Sequence, residues 1–308
     1  MGKSYKPVHS FALVLLLGFE LSFYLLIIQT GIAEHYHSDL VKLSPLFIGG
    51  VTGTILSGYD WGKVTNPIHK IIIALSIQLS FSFLYPDYNL ITLGLLGMSV
   101  GMMAPLSIYL FKDKQHFELL FALAIAYTVG TFAFTSLADH REWMALVFTS
   151  TSLLAAFLLK DYKVVQEKQN FSSSLLGYGI LMLWILLDSN LFETLSRHLG
   201  LNIWSESTYT IISFHLIGLV AAALIKMKEL QQHIFIALLF IGSYSLSYLE
   251  WAVALSVLYP FTISYYNVIV FKSLSTEPNL LKLSYLMVFI AWISSGLGLA
   301  LALSKLLH

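Results

Sequence analysis

The chain has 308 residues, of which 57% are hydrophobic, 14% aromatic and only 11% Asp, Glu, Lys or Arg; soluble domains carry about 25% charged residues, so most of this length is expected to be solvated by lipid. Its 17 basic and 17 acidic residues cancel and form no basic arm, which excludes the electrostatic footprint of a nucleic-acid binder. The absence of cysteine excludes disulfides, thiolate metal sites and cysteine nucleophiles.

A helix needs about 20 apolar residues to cross the hydrocarbon core of a bilayer. Dividing the chain where charges cluster between apolar runs of that length predicts eleven such helices, at residues 9–33, 42–59, 68–85, 89–111, 116–138, 142–159, 172–195, 207–225, 233–249, 251–271 and 281–304. The first has the basic start and apolar run of a signal peptide, but Glu20 follows with no small-residue cleavage site, so it is expected to be a retained helix. Loop charge sets the orientation, because cytoplasmic loops hold the excess of Lys and Arg. With the N-terminus inside, 13 of the 17 basic residues face the cytoplasm; only Lys42, Arg141, Arg197 and Lys305 fall outside. The longest polar linker, 160–174, is then cytoplasmic and divides six helices from five.

All Lys and Arg lie in loops or at helix ends, so the informative residues are polar groups within the spans. Glu20 stands 11 residues into the first helix, about 16 Å along it, close to the midplane. At 100° per residue, Tyr24 and Leu16 share its face, His9 lies at the inner end, and Gln29 points the opposite way. Gly49, Gly53, Ser57 and Gly58 in the second helix, and Gly97 and Gly101 in the fourth, are spaced for close helix approach. Met98 and Met102 in the fourth are soft ligands of the kind Cu(I) takes, although gap-filling is the plainer use of Met. Tyr127 is the polar candidate of the fifth helix. Asp188 stands 16 residues into the seventh, about 24 Å along and nearer the outer side, with Trp184 and Phe192 on its face. Glu193 is placed to pair with Arg197 at the outer mouth. His215, midway along the eighth, suits either a proton relay or a structural hydrogen bond. In the tenth, Ser256, Pro260, Ser264 and Asn267 form one stripe.

A carboxylate costs on the order of 3 kcal/mol at the centre of a membrane helix, so an acid in mid-span is a functional-site hypothesis. Glu20 and Asp188 either stay protonated and hydrogen-bonded between helices, or take up and release protons. With no Lys or Arg in the spans, a cavity around them is neutral or negative. It suits protons, organic cations, zwitterions or metal ions better than small anions. No Walker motif, Gly-x-Ser-x-Gly or His-Glu-x-x-His occurs, so neither an enzyme activity nor a resident cofactor or metal is expected.

Pro105 to Lys112 and Pro260 to Lys272 each run from a proline through polar and aromatic residues to Phe-Lys, a faint internal repeat of the kind transporters carry. The loop after the second helix reads Gly58-Tyr-Asp-Trp-Gly-Lys63. With the six-helix half and the cytoplasmic linker, it resembles the major facilitator superfamily. Asp60, Gly62 and Lys63 match in kind that family's Gly-x-x-x-Asp-Arg-x-Gly-Arg loop, one residue short and without the arginine. The stretch Gly97 to Leu159, with Pro105 and Gly130, has the same look. The second copy of the loop, Lys226-Met-Lys-Glu229, has lost the acid-glycine pattern, the fourth helix has no arginine, and a twelfth helix is missing.

The resemblance implies an all-α polytopic membrane protein of two bundles, residues 1–165 with six helices and 166–308 with five, rocking around a midplane site. The expected function is secondary transport of a small organic cation, zwitterion or neutral solute by alternating access. Glu20 and Asp188 are the expected proton-coupling groups. Tyr24, Tyr127, Trp184, His215, Ser264 and Asn267 are candidate substrate contacts, and Asp60, Gly62 and Lys63 form the conformational loop. Transition-metal ion transport is one alternative; an assembly or interaction protein that keeps a transporter-like fold is the other. The expected location is a bacterial inner membrane, with the flank left by the missing helix covered by lipid, a second copy or a membrane partner.

Overall fold

The computed structural model describes residues 7–36, 39–62, 64–111, 116–162, 175–196, 201, 203–204 and 207–304. Among them, each of the eleven predicted stretches is helical and there is no strand. The helices are α1 (Pro7–His35), α2 (Leu40–Gly58), α3 (Pro67–Ser82), α4 (Leu90–Leu110), α5 (His116–Ser136), α6 (Arg141–Leu158), α7 (Leu175–Ser196), α8 (Thr208–Leu224), α9 (Glu229–Tyr248), α10 (Ala252–Ser275) and α11 (Leu280–Ser304). Eight are long and apolar enough to cross a membrane; α3 and α8 are apolar but shorter. α6 reaches 18 residues but opens on Arg141 and Glu142 and carries four consecutive hydroxyl residues, Thr149 to Ser152. This is the composition of a multi-pass membrane protein. Only internally hydrogen-bonded helices or closed barrels satisfy the backbone in hydrocarbon.

Local chemistry sets several helix starts. Asp39 accepts from the backbone N–H groups of Val41 and Lys42 to open α2, and Asn66 accepts from Ile68 while Pro67 supplies the first turn of α3. Asn89 and Thr92 form a reciprocal capping box at α4, and Asn279 accepts from Lys282 at α11. Each cap satisfies a donor that the first turn leaves without a partner.

The chain divides into two compact units, Met1–Phe171 with Ser273–Val288, and Ser172–Lys272 with Phe289–His308. In the first, α1 lies against α5 and α6, α3 against α4 and α6, and α2 against α4, with the opening of α11 packed on α2 and α4. In the second, α7 packs on the Ser294–Ser304 end of α11 and on α9. The α2–α4 contact is glycine-made. A Cβ on Gly49 would meet the Gly94 carbonyl, one on Gly53 the Met98 carbonyl, one on Gly97 the Leu46 carbonyl and one on Gly101 the Gly50 carbonyl. Thr54 closes the seam by donating to the Gly101 carbonyl at 2.8 Å.

Two helices depart from the α period. α1 is π-helical over Tyr24–Ile32, where the Thr30 hydroxyl donates to the carbonyls of Leu25 and Leu26, both at 2.9 Å. α11 is π-helical over Val288–Ile293. A π turn takes more residues than an α turn, so faces counted at 100° per residue rotate past Tyr24, and the placement of Gln29 opposite Glu20 no longer follows.

Candidate functional site

Glu20 is buried in the first unit, 6% exposed. Its Oε2 accepts a hydrogen bond from Nε2 of Gln78 on α3 at 3.0 Å, and the same nitrogen donates to Thr149 Oγ1 on α6 at 3.2 Å. Gln78 and Thr149 are both fully buried, and Oε1 of Gln78 has no hydrogen-bond partner. Ser152, one turn beyond Thr149, donates to the Leu16 carbonyl at 3.4 Å and ties α6 to α1 beside the acid. The carboxylate is thus held by a neutral amide from α3, which in turn bonds Thr149 of α6. Of its predicted neighbours, Leu16 is buried and Tyr24 half-buried at the start of the π stretch. Tyr127 is half-buried on α5.

Asp188, in the second unit, is half-buried. Its Oδ1 accepts from the Tyr259 hydroxyl at 2.9 Å and its Oδ2 from the Tyr266 hydroxyl, both on α10. Seven residues apart, these tyrosines share one helix face. The same turn of α7 is pinned further: Tyr244 of α9 donates to the Leu187 carbonyl and to Asn190 Oδ1, both at 2.8 Å, and Ser189 donates to the Ser295 carbonyl of α11 at 2.9 Å. Glu20 lies thirteen residues beyond Pro7 and Asp188 thirteen beyond Leu175, the first described residues of α1 and α7.

Replacing Asp188 removes the acceptor of two buried phenols. Asp188→Ala is expected to cost on the order of 1–3 kcal/mol for each hydroxyl left unpaired, and Asp188→Asn less, since its carbonyl keeps one acceptor. Thermal unfolding of the two purified variants checks the order; equal melting temperatures would contradict it.

The remaining candidates distribute as follows. Trp184 is buried and stacks on Phe240 with centroids 5.8 Å apart, but its indole N–H donates to His233 Nδ1 at 3.3 Å and not to Asp188. His215 and Ser264 do meet, at 2.7 Å between Nδ1 and Oγ, and His215 also bonds the Pro260 carbonyl, so the ring bridges α8 to the proline turn of α10. Asn267 is half-buried on α10. Glu193, expected at the surface, is buried at 4% exposed; its expected partner Arg197 lies outside the described residues.

In the loop after α2, Gly62 has φ +56°. A Cβ there would meet nothing within 4 Å, so it is the left-handed backbone that favours glycine. Lys63 lies outside the described residues. The organising cation is one the sequence reading did not single out. Lys70 of α3 is 1% exposed, and its Nζ donates to the carbonyls of Ser57 at 3.1 Å and Tyr59 at 2.7 Å, which finish α2. Asp60 is 3.5 Å from the same Nζ but 67% exposed. Beyond it, a cavity of about 670 Å³ is lined by Asp60, Asn66, Lys70, Tyr109, Tyr162 and Asn279 among others. Ser57 bonds Ser284 at 2.9 Å and Tyr59 bonds Tyr285 at 2.7 Å, joining α2 to the opening of α11. Lys70→Met is expected to lower stability by roughly 1–3 kcal/mol by stranding the α2 carbonyls, and Asp60→Asn by less than about 1 kcal/mol because its ion pair is solvent-screened. Thermal unfolding of both variants decides between a carbonyl clamp and an ion-pair clamp.

Outside the spans, Tyr36 donates to the Tyr88 carbonyl at 2.7 Å, and burial pushes the phenols of Tyr36, Tyr85 and Tyr88 upward. Arg141 pairs with Glu34 beside them. No protein-family model matches the sequence, and no curated protein matches it.

Proposed function

We propose that the chain is a secondary transporter of a small organic cation, zwitterion or neutral solute, coupled to protons through Glu20 and Asp188. The observation that carries the reading is the treatment of these two acids. Each sits about midway along its helix in a different unit, and each is held by neutral hydrogen-bond partners rather than by Lys or Arg. A charged carboxylate in hydrocarbon is expensive to retain, so an acid in mid-span is a functional-site hypothesis. One held by an amide or by phenols can gain and lose a proton without breaking an ion pair.

The major facilitator resemblance supplies the working arrangement: six helices and five, alternating access, and a loop at Asp60 and Gly62 that moves with the transition. The proposed location is a bacterial inner membrane, with the N-terminus inside on the distribution of Lys and Arg among the loops. Trp184, His215, Ser264 and Asn267, with Tyr24 and Tyr127, remain the proposed substrate contacts. Glu20 and Asp188 add negative charge within their own units, which favours a cationic or zwitterionic solute.

Thermal stabilisation of the detergent-purified protein across organic cations, amino acids, sugars, anions and metal ions tests the reading. A bound solute stabilises by about 2.7 kcal/mol at a hundred times its Kd. An organic cation or zwitterion that raises the melting temperature of the wild type and not of Glu20→Gln is the expected result. Stabilisation by anions alone, or by transition metals alone, would overturn it.

A further inference from the structure

We infer that Glu20, Gln78 and Thr149 form a site for a small monovalent metal cation of the sodium class, which takes the place of the proton at the Glu20 carboxylate. The inference rests on the proposed cation-coupled transport and names a second coupling ion for the same site.

Charge comes first. Glu20 contributes one negative charge, and its hydrogen-bond partner Gln78 and the neighbouring Thr149 contribute none. In a dry interior an uncompensated charge is costly, so a single positive charge balances the cluster and a divalent ion leaves an excess. Ligand type comes second. Carboxylate, amide carbonyl and hydroxyl oxygens are hard donors and suit hard cations.

Gln78 supplies the decisive atom. Its side chain is fully buried, its Oε1 has no hydrogen-bond partner, and an acceptor left so is costly. A terminal amide carries a donor end and an acceptor end on one planar group, and a half-turn exchanges them. As it stands, the N–H end faces Glu20 and suits the bare carboxylate. Turned over, Oε1 takes the place of Nε2, which lies 3.0 Å from Glu20 Oε2 and 3.2 Å from Thr149 Oγ1. The α3 oxygen then stands beside a carboxylate oxygen of α1 and a hydroxyl oxygen of α6.

Asp188 lacks this option. Its two carboxylate oxygens already accept one phenol each, from Tyr259 and Tyr266, and a phenol has no carbonyl end to turn. The site therefore belongs to Glu20 alone.

Binding of radioactive sodium to the detergent-purified full chain, followed by scintillation proximity, tests the inference. Saturable binding to the wild type is expected, displaced by unlabelled sodium or lithium and not by choline. It is expected to be lost in Glu20→Gln and Gln78→Leu and kept in Asp188→Asn. Thr149→Val, which removes an oxygen and keeps the side-chain volume, is expected to weaken it and serves if Gln78→Leu does not fold. No saturable binding to a folded wild type, or undiminished binding in a folded Gln78→Leu or Thr149→Val, would overturn the inference. Stabilisation by an organic cation without sodium binding would sink this site and leave the transport reading standing; absence of both would sink both.

Discussion

Glu20→Gln is expected to abolish substrate-dependent proton movement while leaving the protein folded. Glutamine has the same shape as glutamate and its Oε1 can still accept from Gln78 Nε2, so the contact at 3.0 Å between α1 and α3 survives. The variant also removes the cost of holding a carboxylate in a membrane helix, on the order of 3 kcal/mol when it is charged. Stability should therefore be unchanged or raised. What the amide cannot do is bind and release a proton. In proteoliposomes carrying a pH-sensitive dye, addition of a solute that stabilises the wild type should change the internal pH of wild-type vesicles and not of the variant. Asp188→Asn is expected to show the same loss. Proton movement equal to wild type in both single variants and in the double variant would remove these acids from the coupling mechanism.

Gly53→Leu and Gly101→Leu are expected to have the largest effects on folding. A Cβ at either position lands on a backbone carbonyl of the facing helix, that of Met98 or of Gly50. A side-chain neighbour can change rotamer, but a backbone one moves only with its helix, so relief requires α2 and α4 to separate. Separation also breaks the Thr54 bond to Gly101 at 2.8 Å. Overpacking typically costs about 1–3 kcal/mol, and a backbone clash of this kind is expected at or above the upper end. Size-exclusion profiles and melting curves of the purified variants, beside Gly179→Leu where a Cβ meets nothing within 4 Å, check the difference. Equal behaviour at the three positions would mean that the α2–α4 seam is looser than its glycines imply.

The helices were legible because apolar length is set by the solvent and not by tertiary packing. Where the described residues run past a helix end, that end falls within about four residues of prediction, and caps such as Asn66-Pro67 and Asn89 lie where the charge breaks placed boundaries. The two acids were legible for the same reason, since a carboxylate in an apolar run is conspicuous. Their partners were not picked out. Gln78 is a lone amide in the run from Ile71 to Leu79, a signal available to a search for every polar group in mid-span but not to one confined to charges. Tyr259 and Tyr266, two turns apart, were hidden among 17 tyrosines.

Phase arguments hold only while the helix keeps its period. The face of Glu20 was counted at a uniform 100° step, and the π stretch that begins at Tyr24 removes the basis for placing Gln29 opposite it. Trp184 was placed on the face of Asp188, but a lone i−4 relation does not say which polar atom it meets, and His233 takes its N–H. In the loop after α2, attention to the family-like pattern picked out Asp60 and Gly62. Lys70, eight residues past Gly62, was counted as a loop cation; its role depends on the fold returning α3 to the end of α2, which no local pattern records.

The most direct test of transport is a current. Wild-type protein reconstituted on a solid-supported membrane should give a transient charge displacement when an organic cation or zwitterion is added, reduced or lost with Glu20→Gln and with Asp188→Asn. A correctly folded wild type that gives neither a current nor a change of internal pH with any solute of the panel, under an imposed proton gradient in either direction, would contradict the assignment as a coupled transporter.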